Sequence, residues 1–137
     1  MNPWAEEMKA RVHQFMLDVI RFVQTIPDRT DTRRLKDQLI GAASGIDGNY
    51  HAACRSRTHD EFTALIGNVL IEADEAEEWL DTIHDAKIST TPELRRLRIE
   101  SKELRAIFAK ATLTANNNRR RRRRNDDDKR RRRNDGE

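Results

Sequence analysis

At 137 residues the chain has room for one domain. A single cysteine, Cys54, excludes an internal disulfide. No stretch approaches the ~20 apolar residues that span a bilayer, and no basic segment followed by an apolar run marks a secretory signal, so a cytoplasmic protein is expected. Charge is divided unevenly. Residues 119–137 hold eleven cations against five carboxylates, a net of +6, which within a total of +3 leaves −3 for residues 1–118. The basic character therefore belongs to the C-terminal end, and nucleic-acid affinity has to be argued for body and tail separately.

Glycine and proline are scarce, at five and three, and apolar residues recur every third or fourth position. That period predicts helices throughout. A first helix is expected over 3–26, entered by Asn2 and Pro3 and stopped by Pro27. Trp4, Met8, Val12, Phe15, Val19, Phe22 and Ile26 form its apolar stripe. A second helix is expected over 32–54, capped by Asp31 or Thr32, with Leu35, Leu39, Ala42, Ile46 and Tyr50 or Ala53 inward. Gly41, Gly45 and Gly48 interrupt it, each costing ~1 kcal/mol against alanine. Either a neighbouring helix approaches closely there or the helix breaks.

A third helix is expected over 58–85. Thr58 and Glu61 have capping-box spacing. Phe62, Leu65, Val69, Ala73, Ala76, Leu80 and Ile83 line its core face, widened by Ile66, Leu70 and Trp79. A fourth is expected over 92–114, entered by Thr91 and Pro92, with Leu94, Leu97, Ser101, Leu104, Phe108 and Ala111 inward. Short connections make the fold class all-α: an antiparallel up-down-up-down four-helix bundle over 1–115. No apolar residue follows Ala115, so 116–137 is expected to be a disordered Arg-rich tail.

Several of these segments resemble a known family. Gln38-Leu39-Ile40-Gly41-Ala42-Ala43-Ser44-Gly45-Ile46-Asp47-Gly48-Asn49-Tyr50 resembles the second-helix signature of bacterial four-helix bundle proteins named for the intervening sequence of 23S ribosomal RNA genes. Ala52-Ala53-Cys54-Arg55-Ser56-Arg57 with Phe62, Glu72-Ala73-Asp74-Glu75 with Trp79-Leu80, and Ile26-Pro27 are similar to further parts of that pattern. The resemblance covers roughly residues 8–113 and leaves out the arginine tail. It implies an up-down bundle that assembles as a ring, usually a homo-pentamer. Through the accessory proteins of diversity-generating retroelements, it also implies RNA or DNA and a reverse transcriptase or other ribonucleoprotein as partners.

Candidate binding residues follow from charge. Arg119, Arg120, Arg121, Arg122, Arg123 and Arg124 begin a run of eleven cations in residues 119–133, able to neutralise phosphates without reading sequence. No aromatic residue is interleaved, so base stacking is not offered there. Arg95, Arg96, Arg98, Lys102 and Arg105 form a basic side of the fourth helix, which follows a phosphate backbone or is merely solvated and locally paired, as Arg96 with Glu100. Arg55 and Arg57, in the connection after the second helix, contact a partner or pair with Asp60 or Glu61.

The acidic run Glu72, Asp74, Glu75, Glu77, Glu78 and Asp81 lacks the paired Glu-x-x-His spacing of bundle metal sites; only Asp81 and His84 have it, while His13, His51 and His59 lack matching partners. No metal, cofactor or catalytic set is expected, and the chain reads as a non-enzyme. Gln38, Ser44, Asn49, Glu72 and Glu75 are expected as a structural polar network that fixes helix register. Trp4 and Trp79 are each expected in the core or at a subunit interface, with core packing the default for Trp4. Two functions stay open: an oligomeric nucleic-acid binder, or an assembly scaffold with no nucleic-acid role in the bundle.

Overall fold

The computed structural model describes residues 2–136. It consists of α1 (Pro3–Gln24), α2 (Thr30–Cys54), α3 (His59–Asp85) and α4 (Pro92–Asp135). Each helix packs on its sequence neighbours, α1 closes against α4, and the diagonal pairs do not touch through their backbones. This is the expected antiparallel up-down-up-down bundle.

The helix ends follow local chemistry. Asn2 Oδ1 accepts the Trp4 N–H at 3.0 Å, and Pro3 occupies the first turn, where its missing N–H costs nothing. α2 starts earlier than expected. The buried Thr32 hydroxyl donates to the Pro27 carbonyl at 2.6 Å and accepts the Arg29 N–H at 3.0 Å, so Thr32 ties the loop from inside the first turn. Thr58 Oγ1 caps α3 through the Glu61 N–H at 3.0 Å. Glu61 reaches back to the Arg57 N–H at 3.2 Å, one residue beyond the Thr58 N–H that a capping box would use. α3 ends with Lys87 at φ 57°, while Ile88 N–H bonds the Ile83 carbonyl and Lys87 N–H that of His84, both at 3.0 Å. That is a Schellman closure, with Ile88 folded onto the core.

The core is the set of stripes. Val12, Phe15 and Val19 of α1 meet Leu39, Ala43 and Ile46 of α2, Ile66, Val69 and Leu80 of α3, and Leu94, Leu104 and Phe108 of α4, all almost wholly buried. Removing a large one such as Leu39 costs typically 2–5 kcal/mol through lost transfer and a residual cavity. Tyr50 and Phe108 meet across the bundle axis at 5.4 Å between ring centroids. Burial raises the Tyr50 hydroxyl above the ordinary tyrosine range, and the neighbouring Cys54 thiol adds to the rise. On α3 the stripe enters through Thr63 and Ile66, leaving Phe62 and Leu65 at its half-buried edge.

Four expectations need correction. First, Trp4 is 49% exposed, because its place on the α1 stripe lies in the first turn, where the neighbours leave it half uncovered. Second, α2 does not break at its glycines, and the close approach of a neighbouring helix is met at one of the three alone. Only Gly45 is closely approached, by the Glu72 side chain; Gly41 and Gly48 have open space where a Cβ would stand. Third, the polar network is not assembled: Gln38, Ser44 and Glu75 are exposed, and half-buried Asn49 donates only to its own helix, at the Gly45 carbonyl, 2.8 Å away.

Fourth, residues 116–135 are not disordered but continue α4, which runs for 44 residues. No glycine or proline lies between Glu93 and Asp135, and arginine is a good helix former. Extending a packed helix avoids the nucleation cost that burdens an isolated one.

Candidate nucleic-acid interface

Burial on α4 stops at Ala115, whose carbonyl lies 3.1 Å from Nε2 of His59, the first residue of α3. Past this point no helix remains to pack on, and every described residue from Arg120 onward is exposed. At 1.5 Å per residue, residues 116–135 form a stalk roughly 30 Å long. With 3.6 residues per turn, the six consecutive arginines 119–124 point to all sides of it. Among the described residues no stalk side chain makes an ion pair, so the guanidinium donors stay available. An open trough of about 680 Å³ runs beside Asn117, Arg120, Arg121, Arg123 and Arg124.

The basic side of α4 within the bundle is different. Arg98 Nε donates to Asp81 Oδ1 at 2.9 Å, and Lys102 Nζ reaches Asp81 Oδ1 at 3.3 Å and Glu77 Oε1 at 3.5 Å. Arg105 bonds Glu77 and lies 3.7 Å from Asp74. The acidic run of α3 is thus the counter-face of the basic run of α4. Burial pushes the Asp81 carboxyl up, but hydrogen bonds from Arg98 and Lys102 outweigh it and hold the group below the usual carboxylate range. On the opposite flank, Arg11 of α1 bonds Glu100 Oε1 through Nε at 2.9 Å and Glu103 Oε2 through Nη2 at 2.7 Å. The expected Arg96–Glu100 pair is absent, and Arg96 lies 3.9 Å from Glu93 instead.

Arg55, Arg57 and Arg95 are exposed, and none has an ion partner among the described residues. Arg55 and Arg57 belong to the α2–α3 connection, at the end of the bundle from which the stalk leaves. Arg95 stands at the other end of the α4 bundle segment, in a cleft with His84, Thr91 and Pro92. Trp79 is half-buried against the core. His13 and His51 share Asp47: His13 Nδ1 lies 3.4 Å from Oδ2, and His51 Nδ1 donates to the Asp47 carbonyl at 2.9 Å. Among the described residues no group of three or more histidine, cysteine or acidic side chains is arranged to hold a metal ion, and no helix is long and apolar enough to cross a membrane.

A cleft of about 470 Å³ was not foreseen. It opens where the stalk leaves the bundle, between Trp4, His59, Phe62, Ile107, Lys110 and Asn118. The His59 and Phe62 rings stand 6.4 Å apart at 31°. Periodicity assigns residues to faces of helices; only the up-down topology places residues 4, 59 and 118 at one end.

These features define an all-α four-helix bundle with a cationic helical extension. No family model matches the chain, and neither does any curated protein. A solved structure does match. A protein of unknown function from the S23 ribosomal protein family of Bacteroides thetaiotaomicron VPI-5482 aligns with a TM-score of 0.69 at 16% identity, over 76% of this chain and 96% of that one. At this identity the likeness is one of fold. Nearly all of the neighbour is matched while about a quarter of this chain is not, so this chain carries length that the neighbour lacks.

Proposed function

We propose that this chain is a cytoplasmic, non-enzymatic, self-associating four-helix bundle that binds RNA or DNA, principally through its arginine stalk. One observation carries the binding: eleven cations in fifteen residues stand on a projecting helix without ion partners among the described residues. Phosphate contacts of this kind release counterions and give affinity that is largely blind to sequence. Arg55 and Arg57, at the root of the stalk, extend the same field. Arg98, Lys102 and Arg105 contribute little, because Asp74, Glu77 and Asp81 already neutralise them.

Self-association, the pentamer and the ribonucleoprotein partner, a reverse transcriptase among them, rest on the family resemblance. The ion-paired body favours the second reading, an assembly scaffold whose bundle takes no part in nucleic-acid binding. Titrating labelled RNA and DNA with the full chain and with a chain ending at Asn118, at two salt concentrations, separates the two. Salt-sensitive binding by the full chain is expected, strongly reduced on truncation. Absence of binding by the full chain would refute the nucleic-acid reading. Light scattering on the same samples reads the oligomeric state, and a monomer would refute self-association.

A further inference from the structure

We infer that the cleft at the root of the stalk stacks one unpaired base of a single-stranded nucleic acid whose phosphates follow the arginine helix. The inference rests on the nucleic-acid reading above and adds a strand preference to it.

Trp4 leaves about half of its surface in water beside this cleft, although tryptophan has a large apolar surface to bury. His59 and Phe62 supply two more rings on the same walls. An aromatic platform at the mouth of a cationic groove is how proteins hold single strands, because every base has a π-face while phosphates bind cations. The charge around the cleft fits that occupant. No carboxylate lines it, and Lys110 stands on its wall with no ion partner among the described residues. One residue past Asn118, the Arg119 Nε is buried with no hydrogen-bond partner. Further along the same helix, on another of its faces, lies the trough beside Arg120, Arg121, Arg123 and Arg124. The volume lies within the 300–1,000 Å³ usual for small-ligand clefts. A base held in a duplex is already stacked on its neighbours and cannot enter, so the cleft selects single strands.

The test uses the full chain carrying Trp79→Phe, which leaves Trp4 as the sole indole. An oligothymidylate and a DNA duplex of equal length are the probes. Saturating single strand is expected to quench Trp4 emission, and duplex to leave it unchanged. Trp4→Ala is expected to weaken single-strand binding roughly 5- to 150-fold, to change duplex binding less than about twofold, and to leave the circular dichroism spectrum intact, the side chain being half exposed. Trp4→Phe should recover part of the loss. Equal single-strand affinity in Trp4→Ala, or saturation without quenching, overturns the platform while duplex binding keeps the nucleic-acid reading standing. A Trp4 emission shift that depends on protein concentration without any oligonucleotide places a second copy in the cleft and also overturns it. Failure of both probes to bind overturns both conclusions.

Discussion

Glu72 occupies the volume that a side chain at position 45 would fill: a Cβ on Gly45 would stand 2.5 Å from its Cδ. Partial burial raises the Glu72 carboxyl above its ordinary value, and the neighbouring Glu75 adds to the rise. A raised carboxyl favours the protonated native state, so its contribution is fully present below the unfolded value of ~4.3 and is lost as pH rises through the higher folded one. Glu72→Gln is therefore expected to raise Tm by roughly 1–3 °C at pH 7 and not at pH 4, read by thermal denaturation at both. The open glycines behave differently. Gly41→Ala and Gly48→Ala meet nothing within 4 Å and should stabilise by about 0.5–1 kcal/mol each. Gly45→Ala should gain less, because Glu72 must first swing outward; urea midpoints check the order. Lys87 sits in the left-handed region that favours glycine, so Lys87→Gly should also stabilise, by at most about 1 kcal/mol. Failure of that variant to raise the urea midpoint would mean that the closure after α3 stores no strain.

Among the elements, the seam between α3 and α4 is an ion ladder of antiparallel register, Asp81 to Arg98, Glu77 and Asp81 to Lys102, Glu77 and Asp74 to Arg105. Surface pairs contribute little singly, about 0–1 kcal/mol, and more as a network. Because Asp81 is held below its ordinary range, its stabilisation is present above the unfolded value of ~3.9 and is lost as pH falls through the lower folded one. Tm should therefore drop on acidification below about pH 4, and Asp81→Asn should flatten that drop. This ladder was not legible in the sequence. Both charge runs were, but periodicity yields faces, and the register between two helices is decided by loop length and core packing. The core itself was legible, since Met8, Val12, Phe15, Val19, Phe22 and Ile26 all lie buried on the stripe their spacing defines. Trp4 fell outside because spacing does not show where neighbouring helices end. The stalk was misjudged for a related reason: lack of apolar residues excludes a buried helix but not a solvated one grown from a packed stem. Ending the chain at Asn118 should lower the helical ellipticity per molecule and leave Tm nearly unchanged, because the apolar core ends at Ala115.

For the molecule as a whole, the division of charge decides how binding responds to salt. Residues 1–118 carry −3 and residues 119–137 carry +6, and α4 runs from the bundle into the stalk without a break. A polyanion therefore meets attraction along the stalk and weak repulsion from the bundle, so phosphate contacts should be confined to the stalk and its root. Cations spread around a helix cannot all face one ligand, so roughly half of the eleven should reach phosphate at once. About six contacts give a slope of log Kobs on log salt near −5 for duplex DNA, at about −0.9 per contact. Asp126, Asp127 and Asp128 oppose this, standing on the same helix between the two basic runs. Replacing all three with asparagine should strengthen binding at low salt while leaving the number of cations, and hence the slope, nearly unchanged. Replacing Arg119 to Arg124 with glutamine should instead make the slope shallower by about half, since six of the eleven cations are lost. A slope that stayed near −5 after that replacement would transfer the phosphate contacts to the bundle, where Arg55, Arg57, Arg95 and Lys110 are among the exposed cations without an ion partner among the described residues.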